Sequence, residues 1–398
     1  MLFRSASVKF RVVRSVRYPT WRSWVCWWPV SYGQSAEIAH GTTTTDADGT
    51  YDITFIAKPD EDVPEEDEPT FIYKIIADVT DTNGETRSSS RQIRVSARAL
   101  KATVNTASWL EAENPIQFKI KTTSLDGEAR SANGSLNVYQ LQQPKTVVRQ
   151  SYTQPLQHSN DQSKTNWANP RTWPLGAKIT SLEFESDQKG SAVLEHKLPA
   201  GIYRVILESR DSFGKAIRAI HQFEVLNPLS KSFAINKADH LSAPSWSLEP
   251  GDEFTALWGT GYAEGRALVE IECKGRLLQQ YWTDPEQTQI IIRQSIDEDM
   301  RGGFTLRVTS IKENRAFMNK RTVNVPWTNK QLQLSWERFT SKLEPGSEET
   351  WTAIIKGPKA QAAAAEMVAT LYDASLDQYY AHHWIKRFPN FRQERSFL

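Results

Sequence analysis

The chain has 398 residues, 39% of them hydrophobic and 24% charged, so it is long enough for three or four compact domains of about 100 to 150 residues each. Its 48 basic and 47 acidic residues are interspersed and leave a formal net charge of +1, which excludes a general electrostatic attraction to nucleic acid or to an anionic membrane. No window approaches the roughly 18 continuous apolar residues of a membrane span, and Cys26 and Cys273 are too few for a disulfide framework.

The first predicted module covers residues 1–97 and consists of strands. The segment VKFRVVR predicts an early strand, and apolar residues alternate again at Tyr51, Ile53 and Phe55. From Tyr73–Val95 the sequence reads as strand, turn and strand, with an Asn-Gly dipeptide that permits positive φ at the turn. Compared with the second module, this one lacks about thirty residues before its first strand, so we expect it to be N-terminally incomplete.

A tryptophan-rich crossover follows the first strand. It holds four tryptophans within eight residues, Trp21, Trp24, Trp27 and Trp28. This is enough aromatic surface to stack a sugar or grip a peptide. The alternative is that the rings fill the crossover between two strands or a contact with a neighbouring module. The corresponding crossover of the second module contains Trp167 and Trp173, which favours the structural interpretation.

An acidic segment, residues 60–68, carries seven carboxylates. Calcium prefers several oxygen ligands, but the fixed spacing of a calcium loop is absent. The same stretch of the second module is much shorter, so the segment reads as an inserted hairpin tip in solvent. Asp46, Asp48 and Asp52 resemble half a calcium loop, but a turn before a strand explains them as well.

The second predicted module covers residues 98–227 and repeats the order of elements of the first. Its hairpin, Tyr203–Val225, aligns with Tyr73–Val95 without a gap. Each hairpin begins with an aromatic residue, and an aspartate and then a glycine stand at its turn. Such self-similarity at the length of one sandwich indicates a tandem array.

Two further features distinguish the second module. The polar tract of residues 142–175 is too long for an ordinary loop and predicts an exposed insertion that could form a contact surface. Asn133-Gly134-Ser135 matches a glycosylation sequon, but Asn-Gly is also a tight-turn signal between two strands. We favour the turn.

The third and fourth predicted modules cover residues 228–328 and 329–398. A third hairpin, Phe304–Val325, turns through Glu313-Asn314 without glycine, so its turn geometry must differ from that of the first two. Both modules carry a Leu-Glu-Pro-Gly landmark before an aromatic-bearing strand. The fourth ends before any terminal hairpin, so we expect it to be C-terminally incomplete. Residues 360–370 fit a helix or the start of a strand equally well.

The remaining motifs do not predict chemistry. Gly259, Gly261 and Gly265 resemble a dinucleotide-binding loop, but their spacing is wrong and no parallel α/β pattern surrounds them, so a strand connection is favoured. His382 and His383 are adjacent and would point to opposite faces of a strand. Hydrolase and Walker motifs are absent from the sequence. We therefore predict no catalytic, cofactor-binding or metal-binding residue, no cofactor, and no enzyme activity for this segment.

The fold class predicted from these observations is all-β, a tandem array of immunoglobulin-like or fibronectin-like β-sandwiches. Three segments carry a resemblance to a known family: LEPGSEETWTAIIKG (343–357), AAAAEMVATLYDASLDQYY (362–380) and LDGEARSANGSLNVYQL (125–141). They resemble bacterial alpha-2-macroglobulin family proteins, and the resemblance extends over essentially the whole chain. Its most specific part is Tyr372–Asp377.

The resemblance implies macroglobulin-type domains in an exported, periplasmic or cell-surface protein whose inhibitory forms trap a protease after it cuts a bait segment. Proteases would then be partners through regions outside this segment, and adjacent domains of the same chain would be partners within it. The family's thioester lies in a Cys-x-Glu-Gln setting, which neither Cys26 nor Cys273 matches. Two alternatives remain open: a surface adhesin or glycan-binding array, and an accessory region of an enzyme.

Overall fold

The computed structural model forms two compact units, Met1–Ala238 with Thr260–Tyr262, and Asp239–Gly259 with Ala263–Leu398. It describes residues 6–18, 35–64, 68–149, 165–338, 340, 346–358, 367, 369, 376, 377, 383, 391, 393 and 394. Regular structure in these ranges is almost entirely antiparallel strand, with short 3-10 turns at Pro170–Thr172, Glu298–Met300 and Thr328–Lys330. The all-β prediction is confirmed.

The first four strands form one sheet in the order β2-β1-β3-β4. They are β1 (Ser7–Arg17), β2 (Ala36–Thr44), β3 (Thr70–Thr80) and β4 (Thr86–Val95). Alternate residues of β1 and β3 are buried on one face of this sheet, with Val12, Val16 and Tyr73 at most 1% exposed. Phe55 packs against Tyr73 with ring centroids 5.9 Å apart. Period-two burial is what a strand with one covered face requires.

The second module is a complete seven-stranded sandwich. One sheet has the order β5-β6-β9 and the other β11-β10-β7-β8. The strands are β5 (Leu100–Asn105), β6 (Pro115–Ser124), β7 (Asn133–Leu141), β8 (Leu175–Glu185), β9 (Ser191–Lys197), β10 (Gly201–Arg210) and β11 (Ala216–Val225). Phe118, Leu136, Tyr203 and Leu207 are fully buried in the core between the two sheets. Large apolar side chains from both inner faces therefore hold this module together.

The third module repeats the seven-stranded plan, with sheets β12-β13-β16 and β15-β14-β17-β18, and the fourth contributes the pair β19-β20. The strands are β12 (His240–Ser242), β13 (Glu253–Gly259), β14 (Ala267–Cys273), β15 (Arg276–Trp282), β16 (Gln289–Ser295), β17 (Phe304–Lys312), β18 (Arg315–Val323), β19 (Gln333–Arg338) and β20 (Thr352–Lys356). Trp258, Phe254 and Phe304 are fully buried in the third core. The predicted helix or strand at 360–370 falls outside the described residues apart from 367 and 369.

The hairpins predicted from the repeat are confirmed. Residues of Tyr73–Val95 pair as β3 and β4, those of Tyr203–Val225 as β10 and β11, and those of Phe304–Val325 as β17 and β18. The third turn does differ, since Glu313 and Asn314 have φ of 50° and 59° and form a two-residue turn. Two consecutive positive φ values match the right-handed twist of the flanking strands.

Each of the first two hairpins has a five-residue turn, and the side chain of an aspartate closes that turn. The Asp81 carboxylate accepts hydrogen bonds from the amides of Asn83 (2.8 Å) and Glu85 (2.9 Å). The Asp211 carboxylate accepts the equivalent bonds from Phe213 (3.0 Å) and Lys215 (2.9 Å). The glycines of these turns have φ of 83° and 77°, a region that residues with a Cβ rarely adopt. Asp46 and Asp187 begin turns with the same backbone bonds.

The turn predicted at Asn133-Gly134-Ser135 is wrong. These residues begin β7, and Asn133 pairs with Glu185 of β8. A Cβ at Gly134 would lie 2.1 Å from the carbonyl oxygen of Glu208 on the neighbouring strand. The glycine is there because β10 passes too close for a side chain, which is the other use of glycine in strands.

The strand predicted at Tyr51, Ile53 and Phe55 is also wrong as a sheet strand. Burial alternates along residues 51–58 as expected, but no described strand pairs with them. In the second module the matching segment is β9, which hydrogen-bonds to β6. The described part of the first module has no strand equivalent to β6, so residues 51–58 keep an extended pattern without a ladder.

Strands β4 and β11 occupy equivalent places but differ on their inner faces. On β11 the inner positions Ile217, Ala219, His221, Phe223 and Val225 lie against the opposite sheet and are buried or half-buried. The matching positions of β4 are Arg87, Ser89, Arg91, Ile93 and Val95, with Ile93 39% and Val95 37% exposed. One hairpin of the repeat is therefore a core element, and the other has a largely polar, open face.

The aromatic residue that begins each of the first two hairpins is a buried tyrosine with a bonded hydroxyl. Tyr73 donates to the carbonyl of Lys58 (2.9 Å) and Tyr203 to that of Pro199 (3.0 Å). Burial, with a smaller effect of Glu113, raises the pKa of Tyr203 to about 12, and burial also raises the pKa of Tyr73. Phe304 takes this place in the third hairpin and needs no partner.

We expect alkali to unfold the second module through Tyr203. Its pKa in the folded state lies above the unfolded value of 10.0. The contribution of Tyr203 to the free energy of unfolding is therefore constant below pH 10 and falls as the pH rises towards 12. Tyr203→Phe should cost about 1 kcal/mol at neutral pH, since the Pro199 carbonyl loses its donor. The variant should also lose less stability between pH 9 and 11 than the wild type in urea titrations. An equal loss in both proteins would show that Tyr203 ionises normally.

Candidate functional site

The linker between the first two modules is bonded to a turn of the second. The Ala99 amide donates to Oδ2 of Asp211 (2.9 Å), whose Oδ1 closes its own turn. Asp81, at the same place in the first hairpin, accepts bonds from its own turn alone among the described residues. Asp211 thus has two functions, as turn residue and as linker anchor.

The electrostatics of Asp211 follow from these bonds. Burial by itself would raise the pKa of this carboxyl, which is 9% exposed. Amide hydrogen bonds from Ala99, Lys215 and Phe213, together with the charge of Lys215, outweigh that effect and hold the pKa below its usual range. The anchor is therefore a carboxylate at neutral pH and is strongest in its ionised form.

Further polar contacts join the linker to both modules. Arg98 pairs with Glu68 at the end of the acidic segment (2.8 Å), and Ser96 Oγ donates to the Pro69 carbonyl (2.9 Å). Arg94 lies 3.7 Å from Asp126 of the second module. Contacts of the linker and of the adjoining end of β4 with both modules restrain the angle between the two modules.

The acidic segment predicted as a solvated tip is held at both of its described ends. Asp60 forms a 2.8 Å ion pair with Arg14 of β1, which also donates to the Lys58 and Pro59 carbonyls. Glu68 is held by Arg98. Residues 65–67 lie outside the described residues. The two ends of the segment are therefore fixed by arginines, which sequence reasoning missed because these partners are distant in sequence.

A groove lies where the first module meets the open side of the second. Its cavity volume is about 460 Å³, within the range of ligand-binding clefts. The whole of β5 lines it, together with residues 217–221 of β11 and the outer face of the first sheet at Arg17, Ile72 and Arg94. A second hollow of about 510 Å³ surrounds the linker at Ala99 and Asp211.

Cations outnumber carboxylates on the walls of this inter-module groove. Its charged residues, apart from His221, are Arg17, Arg94, Arg98, Lys101, Arg218, Glu68 and Asp126. Both carboxylates are engaged, Glu68 by Arg98 and Asp126 by Arg94. Arg17, Lys101 and Arg218 are exposed and form no ion pair with any described residue. The groove therefore carries an excess of three positive charges in a chain that is almost neutral overall.

His221 is the titratable imidazole of the groove. Its Nε2 lies 3.1 Å from Thr106 Oγ1, and its ring stacks on Phe223 with centroids 6.1 Å apart. Burial lowers its pKa. It therefore adds no charge to the groove at neutral pH and contributes a polar wall next to β5.

The residues weighed in the sequence as possible ligands do not converge. Among the described residues, no three histidine, cysteine or carboxylate side chains come together to hold a metal ion. Asp48 bonds the amide and hydroxyl of Thr50 in its own turn, and this bonding lowers its pKa. His383 is exposed, and His382 lies outside the described residues. Gly259, Gly261 and Gly265 lie at the end of β13 and in the loop to β14, as predicted for a strand connection.

The tryptophan-rich crossover at Trp21, Trp24, Trp27 and Trp28 falls outside the described residues, as does Cys26. The second module shows the corresponding rings. Trp173 is 1% exposed, and its Nε1 donates to the Trp167 carbonyl (2.9 Å). Trp173 is therefore a buried structural residue of the second module, while the interpretation of the four tryptophans of the first module stays a prediction.

The polar tract 142–175 is described at its two ends and not at 150–164. Its first end is fixed to the segment after β11. Gln143 Oε1 accepts from the Asn236 amide (2.7 Å), and Asn236 Nδ2 donates to the Pro144 carbonyl (2.8 Å). The sequence predicts an exposed insertion. The structure shows in addition that the first end of the tract contacts the segment after β11, within the same compact unit.

A second anchored linker leaves the third module. Arg301, with a side chain only 6% exposed, binds Glu249 of the Leu-Glu-Pro-Gly landmark (2.9 Å) and Glu298 (2.9 Å). It also donates to the Pro326 carbonyl and to Thr328 Oγ1 (3.0 Å) at the start of the next segment. Bonding to Glu298, ahead of the effect of Glu249, raises the pKa of Arg301. The landmark therefore serves to hold the exit from this module.

No protein-family model matches the sequence, and no curated protein is a significant match. Among solved structures, the chain is similar to native E. coli alpha-2-macroglobulin, with 11% identity, a TM-score of 0.31, and coverage of 89% of this chain and 23% of that one. It is also similar to E. coli alpha-2-macroglobulin activated by porcine elastase, with 8% identity, a TM-score of 0.25, and coverage of 84% and 32%.

A third similar structure is a tetra-tandem repeat from the extending region of a large adhesion protein. It has 12% identity and a TM-score of 0.20, with coverage of 85% of this chain and 74% of that one. The chain thus spans less than a third of the length of either E. coli alpha-2-macroglobulin structure. No helix in the described part of the chain is long and apolar enough to cross a membrane.

The linker anchor can be tested with a matched pair of variants, Asp211→Ala and Asp81→Ala. Both remove an aspartate that closes its own turn, but only Asp211 also binds the Ala99 amide. We expect the peptide around Ala99 to lose hydrogen-exchange protection in Asp211→Ala and to keep it in Asp81→Ala. Urea titration of both variants shows whether the second module remains folded. Equal protection at Ala99 in the two variants would contradict the anchoring function.

Proposed function

We propose that this segment is a non-catalytic part of the shell of a macroglobulin-like protein, in which a tandem array of β-sandwiches transmits movement between neighbouring modules. The observation that carries the proposal is the bonded linker, where Asp211 holds Ala99 and Arg98 holds Glu68. A linker fixed on both sides converts displacement of one sandwich into rotation of the next, whereas a free linker would absorb it.

Protease trapping is the function we propose for the whole protein. Its support is the sequence resemblance at 343–357, 362–380 and 125–141, and not the structural neighbours, whose likeness is too distant to add to it. The segment itself would contribute mechanically, and cleavage of a bait elsewhere in the protein would start the movement. On the same resemblance we propose an extracytoplasmic location and proteases as partners of the whole protein.

Trapping can be tested on the protein that contains this segment. After incubation with trypsin, we expect cleavage of casein to fall while cleavage of a small chromogenic peptide persists, because a caged protease excludes large substrates and admits small ones. Asp211→Ala should weaken this difference, and Asp81→Ala should leave it nearly intact. Equal cleavage of casein with and without the protein would refute trapping. Glycan-array binding lost on Trp27→Ala and Trp28→Ala would instead indicate an adhesin.

A further inference from the structure

Two residues near the end of the chain bind to the third module. The amide of Glu394 donates to the carbonyl oxygen of Gly302 (2.8 Å), and Oε2 of Glu394 accepts from the amide of Lys274 (2.9 Å). Three residues earlier, the ring of Phe391 stacks on Trp327 with ring centroids 5.5 Å apart. Phe391 and Glu394, which we call the strap, therefore contact the third module at two separate points.

Glu394 is buried by this contact and is only 7% exposed. Its side chain lies against the backbone at Gly303, where an added Cβ would be 3.5 Å from the Cβ of Glu394. Gly303 has φ of 108°, which residues with a Cβ rarely adopt. Glutamate is seldom buried to this degree unless its carboxylate is bonded. Glu394 therefore occupies a defined place on the third module.

The groups that receive the strap are fixed by the third module itself. Arg301 donates to the carbonyl of Pro326 and to Oγ1 of Thr328, the residues on either side of Trp327. Gly302, whose carbonyl accepts from the strap, follows Arg301 directly. One buried arginine therefore holds both the ring and the carbonyl in place. A site on such fixed groups is preorganised for its ligand.

The spacing of the strap defines what these groups recognise. An aromatic ring at the first position meets Trp327, and aromatic pairs at this distance attract each other. A carboxylate three residues later accepts from the amide of Lys274, in the turn between β14 and β15, as a charge-assisted hydrogen bond. Gln393, between the two, is exposed. The recognised pattern is therefore Phe-x-x-Glu.

The strap is held by few contacts. Phe391 remains 44% exposed, and the buried Oε1 of Glu394 has no hydrogen-bond partner among the described residues. A buried acceptor without a partner costs free energy, and segments with few buried contacts open before the rest of a protein does. The buried core of the third module is formed by residues between Ala243 and Val325. The strap can therefore leave while this core stays folded.

We propose that Trp327, Gly302 and Lys274 form an acceptor site for a Phe-x-x-Glu segment, and that the strap occupies this site as a releasable ligand from the same chain. Because it is tethered, the strap has a high effective concentration at the site and excludes a similar segment of another chain until it is released. The occupied site also joins the fourth predicted module to the third. The proposal is independent of protease trapping, since it needs only these two modules.

Hydrogen exchange in a matched pair of variants, Glu394→Ala and Gln393→Ala, tests whether the strap occupies the site. We expect the amide of Lys274 to exchange about tenfold faster in Glu394→Ala than in the wild type, because its acceptor is gone. Gln393→Ala changes the exposed neighbour and should exchange as the wild type does. Urea titration of both variants shows that the third module is folded. Equal exchange at Lys274 in both variants would contradict the proposal.

A fluorescent peptide with the sequence of residues 388–397 tests the acceptor site as a binding site, by anisotropy titration against the whole chain. The peptide should bind the Glu394→Ala chain, in which the site is released, and should bind the wild-type chain about tenfold more weakly or worse, because the strap competes. The same peptide with the Glu394→Ala change should bind neither chain. Equal binding of the unchanged peptide to both chains, or no binding to the Glu394→Ala chain, would overturn the proposal.

Discussion

A carboxylate that accepts hydrogen bonds from the amides two and four residues ahead closes the main hairpin of each of the first two modules. This bonding fixes where one strand ends and the next begins, and with it which residues face the core, because a shift of one residue would turn every side chain to the other face. In the second module the same carboxylate, Asp211, also holds the linker. The turn therefore also sets the position of the linker, and with it the position of the first module beside the second. The walls of the groove depend on that position.

Much of this fold follows from the sequence because its causes are local. The three hairpins are recognisable from alternating apolar residues and from their turns, and the different third turn follows from the absence of glycine at Glu313-Asn314. The predictions of local structure were wrong where residues distant in sequence determine the conformation. Asn133-Gly134 has the form of a turn, but the close approach of Glu208 explains its glycine. Residues 51–58 have the pattern of a strand but no strand beside them to bond.

The candidate site could not be predicted in the same way, because no sequence motif marks its residues. Arg17, Lys101 and Arg218 lie far apart in sequence, on β1, β5 and β11. Only packing brings them to one cavity, and only the ion pairs of Glu68 and Asp126 show which cations stay available. Among the motifs that stood out in the sequence, the acidic segment forms ion pairs through Asp60 and Glu68, and Asp48 bonds within its own turn.

The difference between the inner faces of β4 and β11 bears on how a repetitive chain avoids misassembly. Adjacent domains of similar sequence are prone to exchange equivalent strands while folding. β4 could replace β11 in the second core only by burying the guanidinium groups of Arg87 and Arg91 where Ile217 and His221 now lie. Burial of charges without partners costs several kcal/mol each, far more than a strand exchange could recover. Divergence at two inner positions therefore keeps each hairpin in its own module.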